Sequence, residues 1–307
     1  MLDKTTEELL GIVSDWSGKF NGAYNIRSNG QCAGRQSSEN ILLENKEDNP
    51  GLVVKIKPGT KGETVYIPAC VTKGGINDLV YNDFFVGEGA DVTIVAGCGV
   101  HTDDGHDVRH HGIHRFILDK GARVLYKEKH IGTGAGGGAK HIDPVTEVIQ
   151  GEDSYLEMDT IQIGGVDRTF RKTTGTLGKG AQLVIKERIM TEGTQTANTD
   201  FAVELNGEDS SVDIVSRSVA KGQSYQEYHS KISGNARSKG HSECDAILAD
   251  KGRVNAAPEL FAGDLDAELI HEAAIGKIAG EQIIKLQTLG LSEEEAEAKI
   301  IEGFLRG

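Results

Sequence analysis

Two stretches of the chain concentrate side chains able to do chemistry. The first runs from Cys98 to His114 and holds Cys98, His101, His106, His110, His111 and His114, interspersed with Asp103, Asp104 and Asp107. Thiolate and imidazole are ligands that zinc and iron share, so these six residues are candidate metal ligands, and a metal-dependent enzyme centred on them is one reading of the chain. Their spacing follows no established zinc pattern. On an extended strand alternate side chains face opposite sides, so His110 and His111 cannot share a face, and a polar turn with exposed imidazoles competes with the metal reading. The second stretch is His241-Ser242-Glu243-Cys244-Asp245-Ala246-Ile247-Leu248, followed by Asn255-Ala256-Ala257-Pro258-Glu259-Leu260 and His271-Glu272-Ala273-Ala274-Ile275-Gly276. It sets a thiol, an imidazole and a carboxylate just ahead of a helical tail, with Cys244, His271 and Glu272 as its candidate ligands.

Other chemistries find no support. The chain has no GxxxxGK[ST] run, so it is not expected to bind or hydrolyse a nucleotide itself. Gly132 to Gly138 contains a formal GxGxxG, but Ala139-Lys140-His141-Ile142-Asp143-Pro144 follows in place of a helix, and a flexible loop is expected there. No GxSxG is present, and with 47 acidic residues a pair of carboxylates close in sequence carries no information. A formal charge of −14 without any Lys/Arg run argues against nucleic acid and against an anionic membrane as partners. No 18-residue apolar stretch exists, and Lys4, Glu7, Glu8 and Asp15 break up the N-terminal segment, which excludes a secretory leader there. Cys32, Cys70, Cys98 and Cys244 are scattered without a CxxC pair, as expected of free thiols in a reducing compartment, so a soluble cytoplasmic chain is expected.

The elements that must position these residues show themselves in the glycines. There are 40, against 5 prolines, and a turn followed by a small residue and an aliphatic strand start recurs. Copies begin at Gly89, Gly121, Asp153, Gly180, Asp209 and Asp266, with a degenerate copy at Asn235, giving spacings of 32, 32, 27, 29, 26 and 31 residues. Intervals of this size are too short for independent domains, and several open on alternating stretches such as Gln182-Leu183-Val184-Ile185-Lys186. They fit a parallel β-solenoid, whose coils bury their apolar faces on one another. A β-sandwich would bring its turns closer together, at roughly 8 to 12 residues.

The ends depart from this pattern. Thr5 to Trp16 places Leu9, Leu10, Val13 and Trp16 at helical spacing. Beyond His271, Ile275, Ile278, Ala279, Gln282, Ile283, Leu286 and Leu289 follow helical spacing up to Gly290, and Ser292 opens a capping box with Glu295 for a second helix. The expected organisation is an N-terminal helical segment over 1–22, a β-helix over 23–270, and two helices over 271–307 that cap the last coil or dock a partner.

Against this background, several runs carry a family likeness. Ser216-Arg217-Ser218-Val219-Ala220, then His271-Glu272-Ala273-Ala274-Ile275-Gly276-Lys277-Ile278, then Gly290-Leu291-Ser292-Glu293-Glu294-Glu295-Ala296 and Gly303-Phe304 resemble the SufB/SufD family of iron-sulfur cluster assembly scaffolds. The likeness is close over about the last 90 residues and looser over the repeats. It implies a right-handed parallel β-helix with helical ends and a scaffold rather than an enzyme, carrying a transient, labile iron-sulfur cluster. It further implies pairing with a second copy or a related scaffold subunit, a separate sulfur donor, and docking of a SufC-like ABC-type ATPase on Ala274 to Leu305. Cys244 would be the sulfur acceptor or cluster ligand, with His271 and Glu272 as the histidine-acid pair near the subunit junction. The chain departs from the family in lacking a longer, cysteine-rich N-terminal region, and in carrying Ile270 where B-type members have a further acid. Counted from the repeat starts, Cys244 and His271 fall on neighbouring coils but four positions apart along them, so a second chain is expected to complete the site.

Overall fold

A computed structural model describes residues 2–306. It is a parallel β-solenoid of about eight coils, with a helix before it and two after. The strands of the N-terminal part are β1 (Ala23–Ser28), β2 (Gln31–Gln36), β3 (Ile41–Asn45), β4 (Gly51–Ile56), β5 (Lys61–Tyr66), β6 (Ala69–Val71) and β7 (Asn77–Val86). The central coils comprise β8 (Asp91–His101), β9 (Val108–Leu118), β10 (Arg123–Thr133), β11 (Lys140–Ile142), β12 (Val145–Gln150), β13 (Tyr155–Ile163), β14 (Arg168–Leu177) and β15 (Gln182–Thr191). The last coils comprise β16 (Thr196–Leu205), β17 (Ser210–Ala220), β18 (Tyr225–Gly234), β19 (Ser238–Leu248), β20 (Arg253–Ala262) and β21 (Ala267–Gly276). Two sheets face each other. One runs β2-β1-β5-β8-β10-β13-β15-β17-β19-β21, with β6 bridging β1 and β8; the other runs β20-β18-β16-β14-β11-β9-β7-β4-β3, with β12 alongside β9 and β14.

The recurring turn found in the sequence enters the first sheet. Gly89, Gly121, Asp153, Gly180 and Asp209 all adopt φ between 55° and 64°, the left-handed region that glycine and, next best, aspartate tolerate. These turns also bond along the stack: Gly89 N–H donates to the Lys120 carbonyl at 2.9 Å, Gly121 to Glu152 at 2.9 Å, and Asp153 to Lys179 at 2.8 Å. A second series, Gly165, Gly193, Gly222 and Asp250, repeats the conformation at another corner. The degenerate copy starts later than the sequence suggests, because Asp209 N–H bonds the Arg237 carbonyl and Ser210 pairs with Ser238. The loop expected over Gly132–Gly138 forms after β10 ends at Thr133, and it packs closely against the neighbouring turn. A Cβ on Gly136 would meet Asp104 backbone at 2.3 Å and one on Gly138 the His106 carbonyl at 2.0 Å.

Alternation buries one face of the central strands; β10 buries Val124, Tyr126, Glu128 and His130 in turn. The core between the sheets includes Phe84, Phe116, Leu156, Leu183, Phe201 and Ile214. At the front, α1 (Lys4–Ser14) is capped by Asp3, whose Oδ1 accepts from Thr6 N at 2.8 Å. Leu9 and Val13 lie over Gly99 and Gly97 of β8, where any side chain would collide with the helix. At the back the helix expected from His271 does not begin there. Residues 267–276 continue the sheet, pairing with β19 as far as Gly276, and α2 (Gly280–Gln287) starts only afterwards. The capping box forms as expected: Ser292 N donates to Glu295 Oε2 at 2.8 Å and Glu295 N to Ser292 Oγ at 3.1 Å, opening α3 (Glu293–Arg306). Ile301 and Leu305 of α3 pack on Val219 of β17.

Candidate functional site

The open end of the solenoid, formed by β19, β20 and β21, carries the residues of the second stretch. Cys244 points inward and is 1% exposed. Its neighbour across the rung is Ala273, whereas His271 stands opposite Ser242, so the two are offset by two positions and not four. His271 Nδ1 lies 2.9 Å from the Ser242 carbonyl, which can only accept, so Nδ1 carries a proton and Nε2 is the ring nitrogen left to meet a ligand. Glu272 is on the other face of β21. There it joins His241 and Glu243, whose ligand atoms and its own lie within 4.8 Å of one another, a trio the spacing did not flag although His241 and Glu243 stand at strand alternation. His241 Nδ1 is 2.8 Å from Asp213 Oδ1, and burial together with Asp245 pushes Glu243 upward. Burial, with Glu187 and Asp245 adding to it, pushes the Cys244 thiol up to about 12. Cys244 is therefore a neutral thiol that becomes a thiolate ligand only when a metal or a change of surroundings displaces its proton.

The first stretch is split by the fold. His101 bonds Thr133 Oγ1 at 2.8 Å and Asp103 Oδ2 at 2.9 Å, and the His106 side chain is 74% exposed beside Asp104. His111 takes the outward side of β9. Only Cys98, His110 and His114 line one space, a cavity of about 310 Å³ at the N-terminal mouth, together with Asn82, Arg27 and the exposed Cys32. His110 Nδ1 is 3.1 Å from Asp78 Oδ2. Burial alone would raise Asp78, but hydrogen bonds from His110 and Arg27 hold it down at about 2. Burial lowers His114 to about 4, leaving a neutral ring at neutral pH.

Between these two ends runs a polar file that the sequence did not disclose. Tyr126 Oη donates to Glu128 Oε1 at 2.8 Å; Arg171 Nη1 donates to Glu128 Oε2 at 2.8 Å, and its Nε lies 3.3 Å from Glu187 Oε1. Glu187 also accepts from Thr199 at 2.9 Å and Ser216 at 2.8 Å. Closer to Cys244, Ser242 Oγ is 3.0 Å from Tyr228 Oη and 2.9 Å from Ser230 Oγ. Burial acts to raise Glu128, yet His130 and Arg171 outweigh it and hold the carboxyl well below its usual range. No helix among the described residues is long and apolar enough to cross a membrane.

Comparison with known proteins agrees with this architecture. Residues 81–304 match the family model described as "SUF system FeS cluster assembly, SufBD core domain". An iron-sulfur cluster assembly SufBD family protein of Methanothermobacter thermautotrophicus is 28% identical over 278 residues, which is 88% of this chain and 66% of that protein. A namesake from Archaeoglobus fulgidus is 31% identical over 88% of this chain and 72% of its own length; one from Methanocaldococcus jannaschii is 28% identical over 88% and 86%. The chain thus spans just under two thirds of the Methanothermobacter protein's length. The family match over residues 81–304 and the likeness to the Archaeoglobus protein show that this chain belongs to the SufBD family of iron-sulfur cluster assembly proteins.

Proposed function

We propose that the chain is a non-enzymatic scaffold on which an iron-sulfur cluster is built as cargo, with Cys244 and His271 supplying ligands and Glu272 flanking them. The observation that carries this reading is the edge itself: Cys244 lies one strand in from β21, whose outer side pairs with nothing among the described residues over ten residues. One chain brings a single thiol to this end, whereas clusters take four ligands, usually thiolates with histidine as an accepted replacement. A second copy laid on β21 about a two-fold axis would continue the sheet and add another Cys244 and His271; a related scaffold subunit could take the same place. The neighbouring edge strand β20 carries Pro258, which has no N–H to donate, while β21 carries no proline.

The exposed apolar residues support a partnered end. Ile270, Ile284 and Leu289 are 57, 60 and 72% exposed, and α2 buries no residue in this chain. In this reading α2 and α3 dock a separate ABC-type ATPase, a sulfur donor feeds the site, and the complex works in the cytoplasm. The test is anaerobic reconstitution with iron and sulfide of the full chain and of Cys244→Ser and His271→Ala. Loss of iron and sulfide in both variants is expected, and wild-type loading in both refutes the site.

A further inference from the structure

The cavity at the N-terminal mouth plays no part in the reading above and lies at the opposite end of the solenoid. We infer that His110 and His114 hold a divalent transition metal there, with Asn82 as a third, oxygen ligand. β9 places His110, Gly112 and His114 on one inner face. Because Gly112 has no side chain, a gap is left between the rings: the point where its Cβ would sit is 3.2 Å from His114 Nε2 and 3.3 Å from His110 Nε2. Two ring nitrogens thus converge on one spot that any other residue would fill.

The far side of each ring determines what these nitrogens offer. His110 Nδ1 faces Asp78, a carboxylate that only accepts and that Arg27 grips with Nη2 at 2.6 Å. His114 Nδ1 lies 3.0 Å from Tyr126 Oη, whose single proton is committed to Glu128 at 2.8 Å, so the hydroxyl accepts from the ring. Both imidazoles therefore carry a proton on Nδ1, and Nε2 is the ring nitrogen each turns towards the gap. A carboxylate behind an imidazole, directly or through one hydroxyl, is the arrangement that orients metal-binding histidines. Asn82 Nδ2 lies 3.4 Å from His114 Nε2; Arg27, Arg35 and Lys46 line the same cavity but are engaged by Asp78, Asn25 and Asp83. Asn82 is itself 5% exposed, and its Oδ1 is buried without a partner; turning the amide over exchanges Nδ2 and Oδ1 and brings that unmet acceptor to His114 Nε2. A cation satisfies all three at once.

The donor set selects the ion. Two imidazoles and an amide oxygen suit zinc, iron(II) or cobalt(II) over calcium or magnesium. Cys98 lines the same cavity but does not form a set within 4.8 Å with both histidines, and the proposed ligand set leaves it out.

Cobalt(II) reports ligation through its visible ligand-field absorption. The experiment uses the chelator-stripped full chain in a Glu272→Ala background, which removes the exterior trio as a competing site, with cobalt(II) alone added. Stoichiometric binding with a ligand-field band is expected in the background and is expected to be lost in Gly112→Ala, whose methyl occupies the gap while both rings and their carboxylates stay. Gly112 does not take a positive φ, so the backbone accepts alanine. His114→Gln provides a second removal, and Asp78→Asn should weaken binding about tenfold or more while leaving both ligand rings in place. Circular dichroism establishes that each variant is folded. No stoichiometric binding in the background, or binding that survives both Gly112→Ala and His114→Gln, overturns the assignment.

Discussion

Replacing Arg171 by methionine tests how the interior tolerates charge. Arg171 is 3% exposed and sits between Glu128 and Glu187, themselves 2 and 3% exposed. Methionine keeps much of the volume but strands two carboxylates in the solenoid, and removing one partner of a buried ionic set costs about 3–5 kcal/mol. At roughly 2–4 °C per kcal/mol, and less for a longer chain, the unfolding midpoint should fall by on the order of 10 °C. The pH dependence should become shallower as well. In the parent the carboxyl of Glu128 is held well below its usual range, so its contribution is present above the unfolded pKa and is lost as pH falls through the acid region. Without Arg171, His130 still lowers that carboxyl but burial is less fully offset, so the carboxyl moves up and the variant should lose less stability than the parent as pH falls through the acid region. Chemical denaturation followed by circular dichroism at several pH values reads both effects. The companion variant Glu128→Leu/Arg171→Met/Glu187→Leu removes all three charges and should recover most of the loss. An Arg171→Met variant as stable as the parent at neutral pH, or a triple variant no better than the single one, would refute the account of the triad as a mutually dependent set.

Two further outcomes follow from the C-terminal helices. Ser292→Ala removes the hydroxyl that accepts from Glu295 N and should cost about 1 kcal/mol, seen as earlier fraying of α3 in amide hydrogen exchange with the coils unchanged. Ending the chain after Gly276 keeps every strand but removes α2 and α3 and uncovers Val219; a folded truncation of this kind should no longer co-purify with an ABC-type ATPase, and undiminished co-purification would remove these helices from the docking assignment.

The coils were legible because one corner of each uses a left-handed residue followed by a small residue and an aliphatic strand start. The other corner escaped notice: Gly193 and Gly222 are followed by Thr194-Gln195 and Gln223-Ser224, which look like any polar loop. At Asn235 the consensus broke down and the start was placed early, which widened the apparent offset between Cys244 and His271. The end of β21 was misread because Ile275 and Ile278 satisfy helical spacing while Leu269, His271, Ala273 and Ile275 equally satisfy strand alternation, and pairing with β19 decides between them. The interior triad was hidden for a different reason. Arg171 alternates with Thr169 and Thr173 on the inward face of β14 while Arg168, Phe170 and Lys172 lie on the other, so neither face reads as apolar and the pattern does not mark Arg171 as buried. Strand parity did separate His110 from His111, but the meeting of His110 and His114 over Gly112 depends on how the rings lean, which no pattern of letters records.

The two ends of the sheets also differ in what they would do at high concentration. At the front, the outermost strands β2 and β3 are 6 and 5 residues long and turn back antiparallel, and the β1–β2 pair is interrupted by a register shift at Ile26/Arg27. At the back, β20 and β21 run 10 residues each without a bulge. Short, bulged edges make poor templates and long straight ones good templates. Head-to-tail growth needs a matching edge at each end, and this molecule's edges do not match. Under the proposed pairing, strand-mediated association would be self-limiting: two backs meeting once would leave the pair with only blunt fronts, so a β-solenoid of this kind would not grow into a filament.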